Sequence, residues 1–148
     1  MLVEQPYRVA GRRSPSPAPQ LDRAWVEVIE HLRKEELRGL PLVVGGRSLG
    51  ARVACRTASA LDAIGVVCLA FPLRPPSRSA KRAASRLPEL EQVTVPTLVV
   101  QGERDPFGIP PPADGRDVVL VPGDHSLRTD LNAVASAVRA WLRALAAD

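Results

Sequence analysis

The sequence predicts an α/β fold built on a doubly wound, mainly parallel sheet. Three observations lead there. Apolar runs of strand length alternate along the chain with segments whose apolar residues recur every three or four positions. One run, Ile64 to Leu73, is apolar almost throughout, as a strand covered on both faces is. After the run Leu42-Val43-Val44 comes a glycine-rich turn, Gly45-Gly46-Arg47-Ser48-Leu49-Gly50, suited to a tight passage from strand to helix.

Met1 to Val9 reads as a short strand, and Gly11-Arg12-Arg13 with the proline-rich stretch Ser14 to Pro19 as an extended loop. Leu21, Trp25, Val28 and Leu32 then recur at helical spacing, with Glu27, Glu30, Arg33 and Lys34 on the outer face and Gly39 as the stop. Leu40 to Gly45 is the next strand. Leu49 to Leu61 is the next helix, whose small residues Ala51, Val53, Ala54, Cys55 and Ala58 suit close packing on a sheet. Ile64 to Leu73 follows as a buried strand, Pro75-Pro76 opens a polar loop, and Ala80 to Leu90 reads as a short helix. Thr97 to Gln101 and Asp117 to Val121 complete the strands. A last helix begins near Thr129 and is expected to bury Leu131, Val134, Val138, Trp141, Leu142 and Leu145. The alternation implies right-handed crossovers, with the strands near Leu42, Val66, Leu98 and Val119 paired in that order. There is no internal repeat, and residues 1–148 read as one domain.

Composition removes several classes of function. With 148 residues and 45% hydrophobic content the chain suits a soluble globular protein, and Ala63 to Phe71, its longest apolar stretch, is far too short to span a bilayer. The first residues lack the basic head and apolar core of a signal peptide, so no membrane association and a cytoplasmic location are expected. Cys55 and Cys68 have neither the close spacing nor the histidine company of a metal site and are expected to be reduced and buried. The net charge is +4, but the arginines are scattered and aromatics make up only 3%, which argues against nucleic-acid binding.

In a parallel α/β sheet the working residues gather beyond the C-terminal ends of the strands. Gly46-Arg47-Ser48-Leu49-Gly50 follows the first such strand and has the form of a nucleophile elbow, with glycines two before and two after Ser48 where side chains would clash. Asp105 follows Val100, and His125 follows Val121. A serine hydroxyl is a poor nucleophile until a base takes its proton, and an imidazole serves as base when a carboxylate holds its other nitrogen. Ser48, His125 and Asp105 are therefore the candidate nucleophile, base and acid. Taken singly, Asp105 also suits the turn that Asp-Pro initiates, and Asp124 also suits orientation of the neighbouring histidine. The other histidine, His31, lies in the first amphipathic helix, where a surface position is expected. Arg47 and Arg104 suit either an anionic substrate or pairing with nearby acids.

Four segments, Glu4-Gln5-Pro6-Tyr7-Arg8, Gly45 to Arg52, Gln101 to Asp105 and Gly123 to Ser126, resemble a small α/β-hydrolase-like family. Its eukaryotic relatives include a subunit of a histone acetyltransferase complex and a testis-expressed protein, and the chain is more distantly similar to dienelactone hydrolases. The double-glycine GGRS elbow is the most specific part of the likeness, which extends over essentially the whole chain. The resemblance implies a partial α/β-hydrolase fold with Ser48 as nucleophile, Asp105 as acid and His125 as base, in the chain order of that fold. It also implies that Leu49, following the nucleophile, offers its amide to an oxyanion.

Members of this fold normally carry further N-terminal strands and a glycine-rich loop that donates a second amide. Their lack here leads us to expect an N-terminally incomplete domain of doubtful activity. The expected function is hydrolysis of a small ester or similar acyl substrate, without a metal or organic cofactor. The alternative is a non-catalytic, hydrolase-like scaffold for protein contacts, and either a protein partner or a homo-oligomer is compatible with that reading.

Overall fold

Four parallel strands lie side by side in chain order: β1 (Val43–Arg47), β2 (Gly65–Leu69), β3 (Thr97–Gly102) and β4 (Arg116–Val121). The computed structural model describes residues 1–75 and 84–147. Val43 stands opposite Gly65, Val66 opposite Thr97, and Thr97 opposite Arg116, so each strand is added to the same edge of the growing sheet. Alternation along the strands sends successive side chains to opposite faces. In β3, Val99 enters one apolar cluster while Leu98 and Val100 enter the other.

The first cluster lies beneath α2 (Ala18–Lys34), α3 (Leu49–Thr57) and α4 (Leu87–Glu91). Ala51 and Ala54 of α3 are fully buried, and the small side chains bring this helix down onto β1 and β2 as the sequence predicts. At Gly45 a Cβ would come within 2.7 Å of the Val67 carbonyl oxygen, so β1 can approach β2 there only with glycine. Three partly buried ion pairs tie the helices together. Arg56 grips Asp22 with both ends of its guanidinium at 2.7 and 2.8 Å, Arg52 grips Glu89 at 2.6 and 2.8 Å, and Arg56 also reaches Glu89 at 3.3 Å. Burial works against both charges, yet Asp22 and Glu89 hold the Arg56 pKa above its ordinary value, and the Arg52 and Arg56 pairings hold Glu89 below its own.

The opposite face is covered by α5 (Leu131–Leu145), whose Val134, Val138 and Trp141 pack on Leu98, Val100 and Val121. Its start is capped by Asp130, which accepts a hydrogen bond from the Ala133 amide at 2.8 Å. The expected apolar face is only partly covered: Leu131 is 66% and Leu142 38% exposed, and no residue of α5 is fully buried.

Other boundaries also depart from expectation. Met1 to Val9 is not a strand: residues 1–5 have no regular structure and Pro6–Val9 form a single helical turn, α1. Pro6 presets a helical φ and has no N–H to give a ladder, and Tyr7 anchors the turn by packing with Leu21 and Val53. The proline-rich loop ends early because Pro19 is accommodated in the first turn of α2. Arg33, assigned to the outer face of α2, instead donates to the Leu61 carbonyl at 2.7 Å. The third helix stops at Thr57, although Leu61 beyond it is buried. Of the helix expected over Ala80 to Leu90, residues 80–83 lie outside the described part, and the ordered turn runs from Leu87 to Glu91.

Cys55 and Cys68 are free and buried, with their Sγ atoms 3.4 Å apart. The Cys55 contact and burial both push the Cys68 thiol well above its ordinary pKa. Among the described residues no helix is long and apolar enough to cross a membrane, and no cluster of three or more His, Cys, Asp or Glu could hold a metal ion.

Candidate active site

Ser48 sits between the end of β1 and the start of α3 with φ 54° and ψ −112°. A non-glycine residue rarely adopts this backbone, and the surroundings enforce it. The Ser48 amide donates to the Leu69 carbonyl at 2.9 Å, while its own carbonyl accepts from Ala51 and Arg52. A Cβ on Gly46 would fall on the backbone of Gly50 and approach the Ala51 nitrogen at 2.8 Å, so the turn cannot close with a larger residue there. The same is not true of Gly50, where a Cβ would meet open space. The clash expected from sequence at both glycines is present only at Gly46.

His125 lies in the loop after β4 and Asp105 in the loop after β3. Gly102 allows those two loops to touch, because a Cβ there would collide with the backbone of Gly123 and Asp124. His125 Nε2 is 2.8 Å from Ser48 Oγ, and His125 Nδ1 is 2.8 Å from Asp105 Oδ2. A carboxylate can only accept, so the imidazole carries its proton on Nδ1 and leaves Nε2 free to accept from the serine hydroxyl. The Asp105 side chain is fully shielded and that of His125 is 18% exposed.

Asp105 has further partners. Its Oδ1 accepts from the Phe107 amide at 2.9 Å and its Oδ2 accepts from Gln101 Nε2 at 2.7 Å. The Phe107 ring lies 4.2 Å from the imidazole, centroid to centroid, with the planes tilted by 33°. Gln101 and Phe107 carry no motif of their own; the available signal was a polar side chain ending an otherwise apolar strand four residues before the candidate acid. Asp124, the competing acid, is exposed and folds back on its own loop, its Oδ1 accepting from the Ser126 amide at 2.8 Å. That bond holds its carboxyl below the usual range.

Leu49 is the first residue of α3, so its amide has no acceptor one turn back in the helix. Arg47 donates to the His125 carbonyl at 3.3 Å. His31 is exposed on α2, away from these residues. Beside Ser48 a cavity of about 550 Å³ is lined by Gly45 to Gly50, His125, Val53, Trp25, Tyr7 and the segment Met1 to Gln5.

Residues 3–145 match the family described as alpha/beta hydrolase domain. No curated protein sequence matches the chain. Among solved structures the chain is similar to an α/β serine hydrolase without a lid from Xanthomonas campestris, at 21% identity and a TM-score of 0.62, over 88% of this chain and 61% of that one. A second protein of that organism, assigned to the alpha/beta hydrolase superfamily, is similar at 23% identity with a TM-score of 0.56, over 84% and 72% of the two chains. The monoacylglycerol lipase of Paleococcus ferrophilus is similar at 16% identity with a TM-score of 0.60, over 90% and 76%.

Proposed function

Since the chain belongs to the alpha/beta hydrolase domain family, we propose that it is a serine hydrolase acting on a small ester or similar acyl compound through Ser48, His125 and Asp105. As Ser48 Oγ attacks the acyl carbon, its proton passes to His125 Nε2. Asp105 stabilises the imidazolium that results. The tetrahedral oxyanion takes the Leu49 amide, which is free at the head of α3. Collapse of the intermediate releases the alcohol, protonated from Nε2, and leaves the acyl group on Ser48. Water then repeats the sequence with His125 as base, and the acid is freed.

The observation that carries this reading is the continuous line from Ser48 Oγ through the imidazole to Asp105, with both steps 2.8 Å and the members drawn from three strand ends. A scaffold that only binds other proteins, the role implied by the resemblance to the histone acetyltransferase subunit, has no use for that alignment. The strained backbone at Ser48 supports the same reading, because strain of this kind persists where a side chain must be presented. The test is labelling with a fluorophosphonate, together with turnover of short-chain p-nitrophenyl esters. Slow label on the wild type at Ser48, absent from Ser48→Ala, is the expected result, since Leu49 is the one oxyanion donor identified. A folded wild-type protein that neither labels nor turns over any ester would favour the scaffold.

A further inference from the structure

Gln101 is fully buried at the end of β3, where a polar side chain needs a reason. Its Nε2 faces three oxygens: Asp105 Oδ2 at 2.7 Å, the Gly108 carbonyl at 3.0 Å and the Phe71 carbonyl at 3.1 Å. Three acceptors around one atom fix the orientation of the amide, because the reversed amide would set its oxygen against all of them. That orientation leaves Oε1 buried without a partner among the described residues. An unpaired buried carbonyl is destabilising, because it has given up its bonds to water and gained none. A methionine or leucine would fill the space without that penalty, so packing alone does not account for the amide.

We infer that Gln101 is a positioning residue: its Nε2–H pins Asp105 Oδ2, and so sets the angle at which the carboxylate holds His125 and aims Nε2 at Ser48. The inference rests on the hydrolase reading for what the imidazole does, but not for the contact itself. Asp105 has both oxygens engaged, Oδ1 by the Phe107 amide and Oδ2 by Gln101 and His125. The Phe107 amide alone fixes one oxygen and lets the carboxylate turn about it. Gln101 supplies the second fixed point, from a strand rather than from a loop. It is also the point where the line meets the loop after β2, through the Phe71 carbonyl.

The deciding comparison is Gln101→Met, which keeps the length of the side chain and removes both N–H donors that the three oxygens share. In the folded variant the freed carboxylate turns, so the low-field proton resonance of His125 Nδ1–H is expected to broaden and exchange faster with water. Fluorophosphonate labelling at Ser48 is expected to slow at least tenfold. A resonance as sharp as that of the wild type, with a labelling rate within twofold, would overturn the inference and leave Gln101 as a cross-link between β3 and two loops. If Gln101→Met does not fold, Asp105→Asn decides. The Gln101 side-chain amide protons should move upfield once their charged acceptor is gone, and unmoved protons would overturn the inference. A wild-type protein that does not label sinks the hydrolase reading alone, since both resonance comparisons are made without turnover.

Discussion

Two aspartates stand near one histidine, and what distinguishes them is which carboxylate meets the imidazole. Asp105 Oδ2 meets the imidazole at 2.8 Å, whereas Asp124 spends its carboxylate on the amide of Ser126. Asp105→Asn is therefore expected to lower the labelling rate by about a thousand- to ten-thousand-fold through loss of the Nδ1–H tautomer. Asp124→Asn should stay within a few-fold of wild type in the same assay, and equal losses would show the acid to be misassigned. The two elbow glycines separate in the same way. Gly46→Ala places a methyl group in the backbone of α3 and should cost about 1–3 kcal/mol or more, read by urea denaturation. Gly50→Ala has room and lies within a helix, so it should be neutral or stabilising by up to about 1 kcal/mol. At this scale the placement of Ser48, Asp105 and His125 at neighbouring strand ends was legible because each lies only a few residues beyond an apolar run. Gln101 was not, because nothing local says which atom a buried amide will face.

The four strands were legible for a related reason. Their apolar runs are self-contained, so each declares itself whatever its neighbours do. Met1 to Val9 has equally strand-like residues, but a strand exists only where another pairs with it, and Pro6 converts the unpaired segment into a turn of helix. The apolar face of α5 shows the complementary limit: periodicity tells which side of a helix is apolar, while Leu131 and Leu142 show that the rest of the protein decides how much of it is covered. The helices beneath the other face add an electrostatic prediction. Glu89 titrates below its ordinary value in the folded protein, so its pairing stabilises the fold above the unfolded-state pKa and loses that effect as the pH falls through the folded-state pKa. Glu89→Gln should be less stable than wild type by about 1–2 kcal/mol at pH 7, between the values for exposed and buried pairs. The two denaturation curves should converge in acid, and a gap that persists below pH 3 or so would mean that packing rather than charge is lost.

Across the whole molecule, the two thiols report on the core without belonging to the site. Cys55 hangs from α3 and Cys68 from β2, and both are closed off from solvent at the seam where the elbow helix meets the sheet. Neither should react with a thiol reagent in the native state, and both should become reactive together at the urea concentration that unfolds the sheet. Reaction of either at the rate of a free thiol in native buffer would show that the seam opens locally. Because the strands stack in the order in which they occur in the chain, both sides of this seam are synthesised before the last strand begins. That order has a consequence for the protein while it is being made. Ser48 and His125 are 77 residues apart. At roughly 5–20 residues per second a ribosome needs about 4–15 seconds to pass from one to the other. For that interval the growing polypeptide carries Ser48 without His125, so the line from serine through imidazole to carboxylate cannot form until the ribosome has passed the loop after β4.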